Sequence, residues 1–538
     1  MADRRASTAA PGVQAGRRRR RGVRLLTITI ALVGAALSPG SGNAAPTPRS
    51  PSGSPADAVF TPFATGPAAS RASWVVRENL RPGTSDWQIP LGMSAAIEGY
   101  ANKVSVQQGD ALTLFVSTPA ARFQVRAYRM GWYQGDWGRL IWTSAWVRGG
   151  RQAAPVRTPA TNMVEAGWHP SIHLFVSRRW PEGVYLLKLV SSAGAAQFVP
   201  LTVRNDASHA ALVIQNEVTT WQAYNDWGGY SLYGGPTGRA TIVSFDRPYA
   251  GFRGGAGILN GTELPLIVLA EKAGYDVTYW TDVDFHERPQ LLLNHRALIS
   301  LGHDEYWSSS MRDMALDARA DHGINIAFLG SNADYRHIRL APSPLGADRR
   351  EINYRVAAAD PLYGVDNAEV TVEWRRPPIP RPESQLNGGF YQCYGVFDDM
   401  HVVSDTPWLF AGTGLREGSV IRGLIRQEVD RVDPSVPTPA DIQLVAHSPV
   451  TCFGTHTYSD VTYYTTRSGA GVFDTGNTAW MGALKCVEPT VMRTCRWPIW
   501  KATMNLLELF ASGPAGLVQP SRPNLARFGI HLRHPLDI

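Results

Sequence analysis

Between residues 75 and 205, apolar and polar positions alternate in short runs. NKVSVQQGDALTLFVST, RFQVRAYRM, HLFVSRRWPEGVYLLKLV and AQFVPLTVR each carry a period of two, punctuated by Gly, Pro, Asn and Asp. That pattern predicts four to eight short strands and an N-terminal immunoglobulin-like β-sandwich over 75–205. From 206 the texture changes. Ala211–Ile214 is a continuous apolar run, as in a strand buried on both faces. Glu263–Gly274, ELPLIVLAEKAG, predicts a helix with Pro265 in its first turn and Gly274 as its stop. The strands YDVTYW and RALISLG follow. Ser308 or Ser309 then caps a helix whose Met311, Met314, Ala315 and Ala318 form one apolar face, ended by Gly323. Ile324–Leu329 is another buried-strand pattern. Strand, helix, strand, helix, strand predicts an α/β domain with a mainly parallel sheet. Its first part is 206–358. A β-rich insertion, 359–440, breaks the rhythm with RRPPIPRPES. GAGVFDTGN and the helical WKATMNLLELFASG complete the domain over 441–515, and 516–538 is a C-terminal tail.

The first 74 residues read differently. RRRRRGVR, the apolar Leu25–Leu37 and SPGSGNAA predict a signal peptide over 1–45. Residues 46–74 are rich in Pro, Ser, Ala and Gly and predict a disordered linker. The apolar run is shorter than the roughly 20 residues a spanning helix needs, so no permanent membrane span is expected after cleavage. The expectation is an exported protein, secreted or held at the cell envelope, by a Sec or Tat route. The signal also explains the formal charge of +7. Residues 1–45 hold eight arginines against one aspartate, and the remainder carries 44 basic and 44 acidic residues. That balance gives no sign of a nucleic-acid partner. The cysteines are Cys393, Cys452, Cys486 and Cys495; an even count in an exported chain predicts disulfides. Cys486 with Cys495 suits a local loop closure, and Cys393 with Cys452 is the remainder.

In open parallel sheets, ligands bind beyond the carboxyl ends of the strands. The segments after the predicted strands are QNEVTTWQAYNDW, TDVDFHE, HDEYW, SNADYRH and TGNTAW. They supply Trp221, Tyr224, Asn225, Asp282, Asp284, His286, Asn332, Tyr335 and Asn477 as candidate substrate-binding residues. HDEYW holds the densest chemistry. His303 can shuttle protons near neutral pH. Asp304 or Glu305 can act as base, orient the histidine or bind a metal. Tyr306 can donate a proton or, as phenolate, bind a hard metal. Adjacent residues cannot all face one point, so about two of these four are expected to line a site. No G-x-S-x-G elbow, phosphate loop or HExxH motif occurs.

TWQAYNDWGGYSLY, VSFDRPY, DVTYWTDVDFH, SLGHDEYWS, INIAFLGSNADYR and SGAGVFDTGN resemble the large (beta) subunit of N,N-dimethylformamidase and its relatives. The resemblance runs over roughly 75–515 and is densest at 210–340. It implies a central domain similar to the ThuA-like or class I glutamine-amidotransferase fold. It also implies hydrolysis of a small amide, with a mononuclear iron held by two tyrosines and a glutamate. Tyr306 is the position it marks as a metal ligand. The segment of the second tyrosine reads ELPLIVL, with Pro265, and that of the glutamate reads FYQCYG, with Gln392; Glu263 and Glu428 are available. The formamidase has a small subunit, and the sequence leaves open whether this chain pairs with one or with copies of itself. Two functions fit: an exported hydrolase of a C–N amide bond, metal-assisted, acting on a small-molecule amide or a cell-wall-derived substrate; or a non-catalytic extracytoplasmic protein binding a glycan or other ligand.

Overall fold

Five strands buried along their whole length line up in parallel at the centre of the chain. Val277–Thr281, Leu212–Asn216, Ala297–Gly302, Asn325–Gly330 and Gly471–Asp474 lie side by side in that order. Thr455–Thr465 and Gln443–Cys452 extend the sheet antiparallel, to seven strands. Every residue of the five parallel strands is buried, which explains their continuous apolar texture. The computed structural model describes residues 70–90, 92–251, 255–486 and 495–538. The expected signal peptide, and the linker as far as residue 69, lie outside the described residues. The linker expectation is corrected at its end: Ser70 is buried and a helix, Ser73–Asn79, starts inside it. Val75 at 0% exposure anchors that helix in the core.

The described chain is β-rich, with several sheets and few helices. Upstream of the central sheet, Glu98–Ala101, Ala111–Ser117 and Ile172–Phe175 form one antiparallel sheet. Ser105–Gln107, Ala196–Arg204, Gly183–Ser191, Arg122–Met130 and Gly138–Thr143 form another. Leu112, Leu114 and Val116 of the first share a core with Val125, Leu187, Leu189 and Leu201 of the second. The aromatic stretch Tyr128–Leu140 is used for packing: Tyr133 and Trp137 are buried. Beside it, Arg129 reaches Glu271 of the helix Leu264–Lys272 in a fully buried two-bond ion pair. Asn79 and the Tyr279 hydroxyl donate to the same carboxylate, at 2.8 and 2.6 Å. Removing one partner of so well satisfied a pair costs roughly 3–5 kcal/mol, so it locks the upstream sheets onto the central one.

The helices cover this sheet where the pattern places them. Leu264–Lys272 carries Pro265 in its first turn and ends before Gly274, whose φ of +71° only glycine adopts easily. Ser308 caps Ser309–Asp321, and Trp497–Ser512 lays Leu506, Leu507 and Phe510 on the core. In the 359–440 region, Phe390–His401 and Val420–Arg431 form a long hairpin. The described residues make one compact unit. No helix among the described residues is long and apolar enough to cross a membrane. Both expected disulfides are present, Cys393–Cys452 and Cys486–Cys495.

At the ends of two central strands the backbones meet closely. A Cβ at Gly330 would stand 1.3 Å from the Gly302 carbonyl oxygen. Gly330→Ala is therefore expected to destabilise by roughly 3 kcal/mol or more, read as a lowered Tm. Gly150→Ala, where a Cβ meets nothing within 4 Å, should leave Tm in place.

Candidate functional site

Four of the five parallel strands deliver side chains from their carboxyl ends into one cavity of about 680 Å³. Leu212–Asn216 leads through the helix Val218–Tyr224 to Tyr224. His303 and Glu305 follow Ala297–Gly302, Asn332 and Tyr335 follow Asn325–Gly330, and Thr478 lies beyond Gly471–Asp474. The hairpin of the 359–440 region closes the opposite wall with Tyr391, Tyr394, Gln427 and Glu428.

On one side a directed chain of hydrogen bonds converges on Glu305. Arg355 donates to the Tyr306 hydroxyl at 2.6 Å, Tyr306 to the Tyr233 hydroxyl at 2.9 Å, and Tyr233 to Glu305 Oε2 at 2.5 Å. Tyr224 donates to the same oxygen at 3.2 Å, and Arg336 Nε to Oε1 at 2.8 Å. Burial, with the charge of Glu305 adding, pushes the phenols of Tyr224, Tyr233 and Tyr306 above their ordinary range, so all three keep their protons. The far side is poorer in partners. Burial, with Glu305 adding, raises Glu428 to about 8. Glu428 Oε2 and Asn332 Oδ1 are buried without a hydrogen-bond partner among the described residues. Asn332 is held there by its backbone: its φ is +59°, and its N–H donates to both oxygens of Asp430 at 3.0 and 3.1 Å. His303 sits edge-on to Tyr224, ring centres 5.1 Å apart, with Nδ1 3.6 Å from Glu217 Oε2. Burial lowers its pKa, so the ring is neutral at pH 7.

Of the residues the sequence singled out, His303, Glu305, Tyr224, Asn332 and Tyr335 line the cavity. Asp304 points the other way, accepting from Gln215 and Ser300, each at 2.9 Å. Tyr306 stands one hydrogen bond behind Tyr233. Trp221 donates to the buried Glu263 at 2.6 Å. Asp282 accepts from Gln215 and from the backbone and hydroxyl of Thr219. Asn225 braces the Pro248 carbonyl at 2.9 Å. Asp304, Tyr306, Trp221, Asp282 and Asn225 therefore do not line the cavity, against expectation, and three further candidates do not either. Asp284 forms a capping box with Thr281 and pairs with Arg204 and Arg288. His286 bonds Ser308 at 2.8 Å. Asn477 turns its carboxamide onto its own loop, accepting from Ala479 N–H at 3.0 Å. None of these three lines the cavity. Tyr233, Tyr391 and Arg336 were missed, although Tyr233 closes the quoted TWQAYNDWGGYSLY and Tyr391 sits in FYQCYG.

Beneath the floor, Glu217, Glu263, Asp282 and Asp304 lie fully buried. Burial is the main cause of the rise in each, to about 8 for Glu263 and about 7 for Asp282. Among the described residues no three of His, Cys, Asp and Glu group as a metal site. Oxygen donors do gather once phenols are counted. Tyr224 and Tyr233 meet on Glu305 Oε2, two phenols and one carboxylate, the donor classes suited to a hard cation.

The described chain is thus a β-rich protein with a tyrosine-walled pocket at the carboxyl ends of parallel strands, lined also by Glu428 and His303. A family model described as N,N-dimethylformamidase beta subunit-like, C-terminal, matches residues 124–494, and the chain belongs to that family. It is 25% identical over 333 residues to the N,N-dimethylformamidase beta subunit of Paracoccus aminophilus. That match takes in 52% of this chain and 42% of the relative, so the chain spans less than half of that protein's length. Among solved structures, a Paenibacillus sp. cycloisomaltooligosaccharide glucanotransferase complexed with cycloisomaltoheptaose aligns at a TM-score of 0.17 and 8% identity, over 58% of this chain and 63% of that one. A likeness that slight carries no argument.

Acids whose folded pKa is raised bind protons in the native state that the unfolded chain has already lost. Their stability contribution is full below the unfolded pKa and declines as pH rises through the folded values near 7 and 8. Tm is therefore expected to fall by several degrees between pH 6 and pH 9. Asp282→Asn, which puts a neutral group in place of an acid that titrates near 7, should shrink that fall. A Tm flat across the interval would contradict the protonated cluster.

Proposed function

We propose that the chain is an exported hydrolase of a carbon–nitrogen amide bond and that the reaction takes place in this cavity. The observation that carries the reading is Glu428: a carboxylic acid raised to about 8 with an unpartnered oxygen, lining the same pocket as a neutral imidazole. Hydrolysis needs one group to take a proton from water and another to give one to the departing nitrogen. His303, with Nδ1 toward Glu217, is the base for the attacking water. As the C–N bond breaks, Glu428 gives its proton to nitrogen. The guanidinium of Arg336 supplies positive charge for the oxyanion. The proton on His303 then returns to Glu428 through solvent, closing the cycle. Asn332 positions substrate, and Tyr224, Tyr233, Tyr335 and Tyr391 exclude bulk water.

The family resemblance adds a mononuclear iron. The residues that would hold it are Glu305, Tyr224 and Tyr233, with Tyr306 supporting Tyr233. When bound, such a cation polarises a carbonyl and lowers the pKa of a water. Because Arg336 already balances Glu305, binding there requires the phenols to release their protons. In the same reading the upstream sheets are an immunoglobulin-like sandwich, 75–205, and the seven-stranded sheet is the layer of an α/β domain, 206–358 and 441–515. Two disulfides favour an oxidising, extracytoplasmic setting. The aromatic wall would also suit a non-catalytic glycan binder, but stacking alone has no use for a protonated Glu428.

Initial rates on small amides are expected to give a bell-shaped pH profile. The alkaline limb falls through about 8 as Glu428 ionises, and the acid limb falls below the ordinary histidine range as His303 gains a proton. Glu428→Gln should lose roughly 10²–10⁴ in kcat and abolish the alkaline limb; full turnover in that variant removes the acid from the mechanism. Iron(III) added to chelator-treated protein should produce a visible phenolate charge-transfer band that Tyr233→Phe weakens. A colourless mixture with iron left free in solution removes the cation.

A further inference from the structure

The rim of the cavity carries a pair of exposed rings that the proposed chemistry does not use. Tyr394 lines the mouth and is 62% exposed; Phe453 is 73% exposed. Their ring centres are 5.2 Å apart, edge to face. Each ring is presented by a break in regular structure. Cys393 pairs with Val429 and Val396 with Gln427, so the Phe390–His401 strand has one residue too many there. That bulge, with Gly395 at φ +78°, throws Tyr394 outward. Cys452 pairs with Thr455, so Phe453 and Gly454 are the two central residues of a tight hairpin. Both have positive φ, +47° and +84°, the arrangement that favours Asn-Gly. A bulky residue there is an outlier, and this one also leaves its ring in water. Local stability would select against Phe453 on both counts. Finally, the half-cystines immediately before the two aromatics are bonded to each other, Cys393 to Cys452, with Cα atoms 6.0 Å apart. The disulfide clamps the bulge to the turn, fixing the two rings as one platform. Inside the mouth the aromatic surface continues through Tyr391 and Tyr335, ring centres 5.2 Å apart.

We propose that Tyr394 and Phe453 form a disulfide-clamped subsite for a ring attached to the amide substrate. This rests on the reading of the cavity as an amide site and names its substrate class: an amide carrying a planar or pyranose ring. Sugar and aryl rings share the chemistry that such a platform recognises, an apolar C–H or π face.

The test is calorimetric binding of acetamide, acetanilide and N-acetylglucosamine to the full chain, with Tm measured in parallel. A ring-bearing amide should bind roughly tenfold tighter than acetamide, and Phe453→Gly and Tyr394→Ala should each collapse that ratio. An advantage for acetanilide alone assigns an aryl ring; one for N-acetylglucosamine alone assigns a sugar. Phe453→Gly should also leave Tm unchanged or raised, since glycine accepts the positive φ. A ratio that survives Phe453→Gly, or a Tm that falls in it, overturns the subsite and makes the ring structural. Phe453-dependent binding of a ring compound without any binding of acetamide upholds the subsite and overturns the amide reading.

Discussion

Gly302 and Gly330 touch backbone to backbone where two central strands end, and the functional half of the molecule depends on that contact. With no side chain between them, Ala297–Gly302 and Asn325–Gly330 stay in register to their last residues. The chain can then turn outward at adjacent points on the sheet edge. His303 and Glu305 leave from one strand, Asn332 and Tyr335 from the next, and all four meet in one cavity. The same crowding shapes the floor: a Cβ at Gly302 would stand 2.3 Å from Glu217 Oε1.

Two electrostatic regimes meet across this cavity. On the sheet side Glu305 is neutralised by Arg336 and wrapped by phenols whose protons all point toward it. On the hairpin side Glu428 lacks a cation of its own, feels the charge of Glu305, and holds its proton. A carboxylate paired to a guanidinium and a carboxyl whose pKa is raised thus face each other across the pocket. The acids under the floor extend the same logic inward. Burial raises the pKa of each, and they accept hydrogen bonds that tie the strand ends together.

Much of the fold was legible because burial on both faces leaves a continuous apolar signature, as in Ala297–Gly302 and Asn325–Gly330. The helix at Leu264–Lys272 was equally plain from Pro265 and Gly274. The site was half legible. HDEYW marks the place, but neighbouring residues point to different sides: His303 and Glu305 face the cavity, Asp304 and Tyr306 face away from it. Asp284 misled because a carboxylate three residues after a threonine is also a helix cap. Tyr391 was hidden, and Glu428 was only one of two available glutamates, because a hairpin's wall residues carry no local mark of what they face. Tyr394 and Phe453 become conspicuous only when a bulge, a strained turn and a disulfide are seen together.

The proposed hydrolysis requires one cavity to hold both proton-transferring groups. Its most direct test is a crystal structure of the protein soaked with a slowly hydrolysed amide. The carbonyl carbon is predicted to lie within the pocket, with Glu428 in hydrogen-bonding reach of the amide nitrogen and His303 on the face open to water. An amide ordered elsewhere on the molecule, with Glu428 and His303 untouched, would contradict it.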